Sequence, residues 1–171
     1  MGSITSIDCD GALFAANSIR RWWTTCLLKR GGQSRFPKAT RILITTDAGG
    51  SNGSRTRLWK TALQQLANDL GLNVTVCHFP PGTSKWNKIE HRLFSFITQN
   101  GRGKPLYDLQ TVINLIGSTT TRQGLSVRCA VDETIYKKGI IVTDSELAAV
   151  KLCPHNFHGE WNDTVKKCPI K

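Results

Sequence analysis

The sequence predicts an α/β fold, a sheet flanked by helices, on three observations. Residues 41–47, Arg41-Ile-Leu-Ile-Thr-Thr-Asp47, form a short, nearly all-apolar run of the kind found in buried parallel strands. Residues 55–70 carry Leu58, Ala62, Leu63, Leu66 and Leu70 at helical spacing, and Gly71 stops them. Residues 72–79 (LNVTVCHF) are β-rich, with Val74 and Val76 alternating. Strand, helix and strand in that order imply a right-handed parallel crossover.

The other elements follow in chain order. Ile4 to Asp8 reads as a short strand. Asp10 precedes an amphipathic helix carrying Ala12, Ala15, Ala16, Ile19, Trp22, Trp23, Cys26 and Leu27, and Lys29-Arg30 before Gly31-Gly32 ends it. Pro80-Pro81-Gly82 breaks the chain after the second core strand. Thr83 or Ser84 is expected to cap a helix running to about Thr98, with Ile89, Leu93 and Phe96 facing the core. Residues 99–105 (QNGRGKP) read as a basic loop. Leu109, Val112, Ile113 and Ile116 mark a further helix. Leu125, Val127, Cys129 and Val131 alternate with polar or small residues, which predicts a half-exposed strand. Thr143 and Glu146 have capping-box spacing for a short last helix.

The length, 171 residues, suits one domain with a real core. A hydrophobic content of 39% and five Trp exclude a disordered chain. The 23 basic residues outnumber the 12 acidic ones, giving a net charge of +11. Such a balance points to a polyanionic partner, nucleic acid by default, against the plain alternative of a basic protein with no such role. The six cysteines, at positions 9, 26, 77, 129, 153 and 168, form no CxxC pair. With no apolar leader and no membrane-length run, the expectation is a cytosolic protein with reduced thiols and no membrane partner. Cys153, His155, His158 and Cys168 are zinc-ligand types, but their spacing fits no standard finger.

Asp47 closes a buried strand and is followed by the glycine-rich turn Ala48-Gly-Gly-Ser-Asn-Gly-Ser54. Ligands gather at the carboxyl ends of parallel strands, and a turn of small residues lets Asp47, Ser51 or Asn52 approach one closely. The turn lacks the Gly-Lys-Ser/Thr ending of a P-loop, which argues against nucleotide hydrolysis. Glu90 lies in the helix after the second strand, on one face with Asn87, beside Lys85, Lys88 and Arg92. Two carboxylates framed by cations suit metal-dependent chemistry on phosphates; a strand-end cap and a solvated helix glutamate are the plain alternatives. Asp8-Cys-Asp10-Gly11 resembles the DxDG nucleophile motif of haloacid-dehalogenase-type phosphatases. Asp10 as a helix cap is the simpler reading.

Four segments are more specific: Ser18-Ile-Arg-Arg-Trp-Trp23, Asp47 through Arg55, Leu58-Trp-Lys60 and Cys77 through Phe94. With Thr119-Thr-Thr-Arg122, Gly124-Leu125 and Phe157-His-Gly-Glu-Trp161, they resemble the Rhodopirellula-type DDE transposases of bacterial insertion sequences, the ISAzo-thirteen group. The resemblance implies a ribonuclease-H-like mixed sheet, with residues 1–104 as a partial catalytic core and 105–171 as a C-terminal α+β extension. It implies three acids holding two Mg²⁺ (or Mn²⁺) ions for cleavage and transfer of DNA strands at insertion-sequence ends. Asp47 matches the second acid and Glu90 the third. The first acid's Val-Asp context has no counterpart, and Asp8 and Asp10 are its weak substitutes. Gly101 stands where relatives carry Trp.

The expectation is therefore a C-terminal fragment of a transposase, incomplete in its first strands and inactive by itself. Its DNA contacts are expected from Arg55, Lys85, Lys88, His91, Arg92, Arg102 and Lys104. Self-association with transposase subunits and a nucleoid location belong to the same expectation. The alternatives are a DNA-binding remnant that does not cut and a phosphatase acting through Asp8.

Overall fold

The structure is a computed structural model that describes residues 11–24, 32–47 and 49–169. The chain forms two compact units, one of Met1–Trp86 with Tyr136–Lys171 and one of Asn87–Ile135.

The first unit is α/β. Its helices α1 (Gly11–Thr24), α2 (Gly32–Arg35), α3 (Arg57–Leu70) and α6 (Asp144–Ala148) accompany the strands β1 (Arg41–Thr46), β2 (Asn73–His78), β3 (Leu152–Pro154) and β4 (Asn162–Val165). The sheet is mixed, in the order β1-β2-β4-β3. β1 and β2 run parallel with Ile44 opposite Val76 and Thr46 opposite His78, as the crossover expectation requires. β4 pairs antiparallel with β2 and β3, setting Val165 against Val74 and Asp163 against Val76.

Side chains two apart in a strand share a face, so Val74, Val76 and His78 point one way. Val165, directly across from Val74, joins them. α3 buries Trp59, Ala62, Leu63, Leu66 and Ala67 against this face, and α1 adds Ala12, Ala15, Ala16 and Ile19. α3 ends at Gly71, whose φ of 65° is left-handed and whose N–H reaches the carbonyls of Ala67 and Asn68. The Arg20–Asp69 ion pair, at 2.6 Å, ties α1 to the end of α3.

The second unit holds α4 (Lys88–Gly101) and α5 (Leu109–Gly117). Asp108 caps α5 by accepting from the Thr111 N–H at 2.6 Å. The Asn100 amide joins the two helices by donating to the Leu115 carbonyl at 2.7 Å. No hydrophobic residue among those described in this unit is fully buried.

Several expectations need correction. The strand over 125–131 is absent: the segment makes a single bridge, Thr120 to Ser126, because no neighbouring strand takes up its hydrogen bonds. α4 begins at Lys88 after a 3-10 turn, Ser84–Trp86, and its N-cap is Asn87. Thr83 does not cap it, since its hydroxyl turns back to donate to the Pro80 carbonyl. Phe96 is 38% exposed, not core-facing. β3 and β4 were not expected. Cys26, Leu27, the Gly31 stop and the strand over 4–8 lie outside the described residues. The Thr143 capping box is present in both halves.

Candidate nucleic-acid and metal site

The parallel pair β1 and β2 ends together, and the chain places its polar groups at that end. Asp47 follows the last residue of β1, so its carboxylate stands at the carboxyl edge of the sheet. Its Oδ1 is buried without a hydrogen-bond partner. A buried carboxylate oxygen with no donor is costly unless a cation or proton serves it. The following turn, Gly50–Asn52, is 3-10 and leaves Asn52 Oδ1 in the same condition.

His78 fixes this turn. It closes β2 on the same face as Val74 and Val76, and is buried. Its Nε2 lies 2.8 Å from the Asn52 carbonyl and its Nδ1 lies 2.9 Å from the Trp161 carbonyl. Carbonyls only accept, so a neutral ring serves one of them and a doubly protonated ring serves both. The His78 main-chain N–H also donates to Trp161, at 2.9 Å. One imidazole thus joins the turn after Asp47 to the loop before β4.

Asp163 is the one acid buried as a whole residue among those described; Asp47 is half-buried. Burial pushes its carboxyl above the usual range, while the charges of Lys60, His78 and His155 work against that rise. It is not placed to share an ion with Asp47. It sits opposite Val76 on β4, two strands from β1, or about 10 Å sideways at roughly 4.8 Å per strand. Ligands of one Mg²⁺ stand about 2 Å from the ion.

The expected site residues divide between the units. Asp47, Arg55 and Lys85 belong to the first; Lys88, Glu90, His91, Arg92, Arg102 and Lys104 belong to the second. All seven basic candidates are exposed. Glu90 lies in the first turn of α4, and its side chain is outside the described residues, as are Asp8 and Asp10. Among the described residues no group of three or more His, Cys, Asp or Glu is gathered to hold a metal ion.

A comparison with protein families matches residues 3–167 to the Rhodopirellula transposase DDE domain. The chain belongs to that family. No curated protein and no solved structure matches it. A transposase-family chain has DNA as its substrate class, in keeping with the +11 charge. No helix among the described residues is long and apolar enough to cross a membrane.

Sequence reasoning singled out Asp47 but not His78, whose ring holds the turn after Asp47, nor the buried Asp163. For His78 a signal was available: it continues the two-residue alternation of Val74 and Val76, which puts an imidazole on a core face.

Proposed function

We propose that the chain is a ribonuclease-H-like core of a DDE transposase, directed to strand cleavage and transfer at insertion-sequence ends. The orphaned, buried Oδ1 of Asp47 at the end of a parallel strand carries this reading. A parallel crossover that leaves that strand end through α3 to β2 supports the ribonuclease-H-like assignment. Asp47 would hold the divalent ion, Mg²⁺ or Mn²⁺, with Glu90 as its partner acid; an oxygen without a donor fits a hard cation. The chemistry such an ion would supply there is activation of water or a 3′-hydroxyl for in-line attack on a phosphodiester.

The protein's own side chains do the remaining work. Arg55, Lys85, Lys88, His91, Arg92, Arg102 and Lys104 take the DNA phosphates, and His78 holds the turn beside Asp47 in place. Exposed Phe94, Phe96 and Leu109 in the second unit support self-association with further transposase subunits. A DNA partner implies work at the nucleoid.

Thermal melts test the metal assignment. At ten times Kd, Mg²⁺ or Mn²⁺ stabilises by about 1.4 kcal/mol, which corresponds to a rise of roughly 3–6 °C for a chain of this size. Asp47→Asn is expected to be as stable as the parent without metal, since it removes a buried charge, and to lose the metal-induced rise. An equal rise in both proteins would remove Asp47 from the site.

A second reading is favoured by one observation. Among the described residues no group of three or more His, Cys, Asp or Glu is gathered to hold a metal ion. A chain that grips DNA without cutting it accounts for that, and it would show Mg²⁺-independent binding with no nicking of supercoiled plasmid.

A further inference from the structure

We infer that the loop between β3 and β4 is a stacking platform for an unpaired nucleobase near the end of the bound DNA. The inference rests on the DNA reading above and adds a site to it. Phe157 is 76% exposed, although large apolar rings ordinarily avoid water. Its ring meets His158 edge-on at 4.5 Å, and His158 lies flat on Trp161 at 5.0 Å with 19° between the planes. Two ring contacts joining three rings make an aromatic surface at the tip of a hairpin.

The loop is held in this shape. His158 has a φ of 48°, unusual for a residue with a side chain, and its carbonyl accepts from the N–H groups of Trp161 and Asn162. The Asn162 amide donates to the carbonyls of Phe157 and His158, at 3.2 and 3.1 Å. His158 Nδ1 donates to Glu160 at 2.8 Å, since a carboxylate only accepts, and this bond holds Glu160 below the usual carboxylate range. At Gly159 a Cβ would stand 2.7 Å from the His155 carbonyl, so only glycine fits. A rigid aromatic surface binds at low entropic cost.

Its place in the fold gives the ligand. Asp47, His78 and Trp161 follow one another along the same sheet end, just after β1, at the end of β2 and just before β4. The step from Asp47 to Trp161 is two strands, about 10 Å. That span covers roughly three base-pair rises of 3.4 Å. An aromatic surface this close to the proposed reacting phosphate suits a base freed from pairing, because every base offers a flat π-face. Exposed Arg55 and Lys85, close in sequence to Asn52 and His78, suit the adjoining phosphates.

The experiment compares a blunt duplex of arbitrary sequence with the same duplex bearing a single-stranded overhang that contains 2-aminopurine. With the parent protein, 2-aminopurine fluorescence in the overhang is quenched on binding. Phe157→Ala is expected to abolish the quenching and to weaken overhang binding by roughly ten- to hundred-fold, leaving the blunt duplex unaffected. Phe157→Trp is expected to restore both. An unchanged melting temperature for Phe157→Ala is expected from its exposure; a loss of blunt and overhang binding together, in step with lower stability, would make the ring structural and overturn the platform. Equal overhang binding by the parent and Phe157→Ala would overturn the platform alone. Absence of salt-sensitive binding to either DNA would overturn the DNA reading and the platform with it.

Discussion

Asp163 is a carboxylate kept on a core face by its strand register rather than by any need of packing. Because burial raises its folded-state pKa above the unfolded one, the folded protein binds its proton more tightly. The stabilising contribution is complete below the ordinary carboxylate range and is lost as pH rises through the raised value. Asp108, Glu146 and Glu160 are lowered by the hydrogen bonds they accept and contribute in the opposite sense, gaining stability as pH rises through the acid range. The difference between the parent and Asp163→Asn isolates the first effect. Urea melts from acid to neutral pH should show the substitution becoming less harmful, or stabilising, as pH rises. A constant difference across that range would mean that Asp163 is solvated. The alternation puts His78 on a core face, but the bonds it makes there were not legible: its partners, Asn52 and Trp161, lie 26 and 83 positions away.

Single elements differ in how far their own residues determine them. β1 was legible as a strand but not as a buried one: it is the sheet's edge, its residues alternate between exposed and half-buried, and Leu43 is 64% exposed. α3 and β2 are legible because each carries a local period and a stop, such as the left-handed Gly71. β3 and β4 are not, being three and four residues long. β4 also contains Asn162, Asp163 and Thr164, and it becomes a strand through antiparallel pairing on both sides. The alternation over 125–131 is the converse case, a suitable pattern with no partner ladder. Asp47 was singled out because a strand that ends in an acid is a local signal; the His78 bonds that hold the turn after it are not local. α3 provides the test of element strength. Leu66 is fully buried between α1 and the sheet, so Leu66→Ala should cost roughly 2–5 kcal/mol in denaturant unfolding. A loss below 1 kcal/mol would mean that α3 is not the centre of the first unit.

For the whole molecule, charge decides the encounter with DNA. Each phosphate contact releases condensed counterions, so log affinity should fall by about 0.9 per contact for each tenfold increase in salt. Lys88→Ala with Arg92→Ala should flatten that slope by about 1.8, whatever the sequence of the duplex. A slope that does not change would place the DNA elsewhere on the chain. The order of the sheet also sets a timetable. β2 is complete at His78, but its neighbour β4 ends at Val165, after the whole second unit. At about 5–20 residues per second, a ribosome needs on the order of 4–17 s to deliver that strand. Through that interval the growing chain holds one edge of β2 unpaired, although α3 is already available to cover Val74 and Val76. The first unit therefore cannot finish folding before the second has been synthesised, and a nascent chain stalled between the two would present a strand edge to chaperones or to its neighbours on the same messenger.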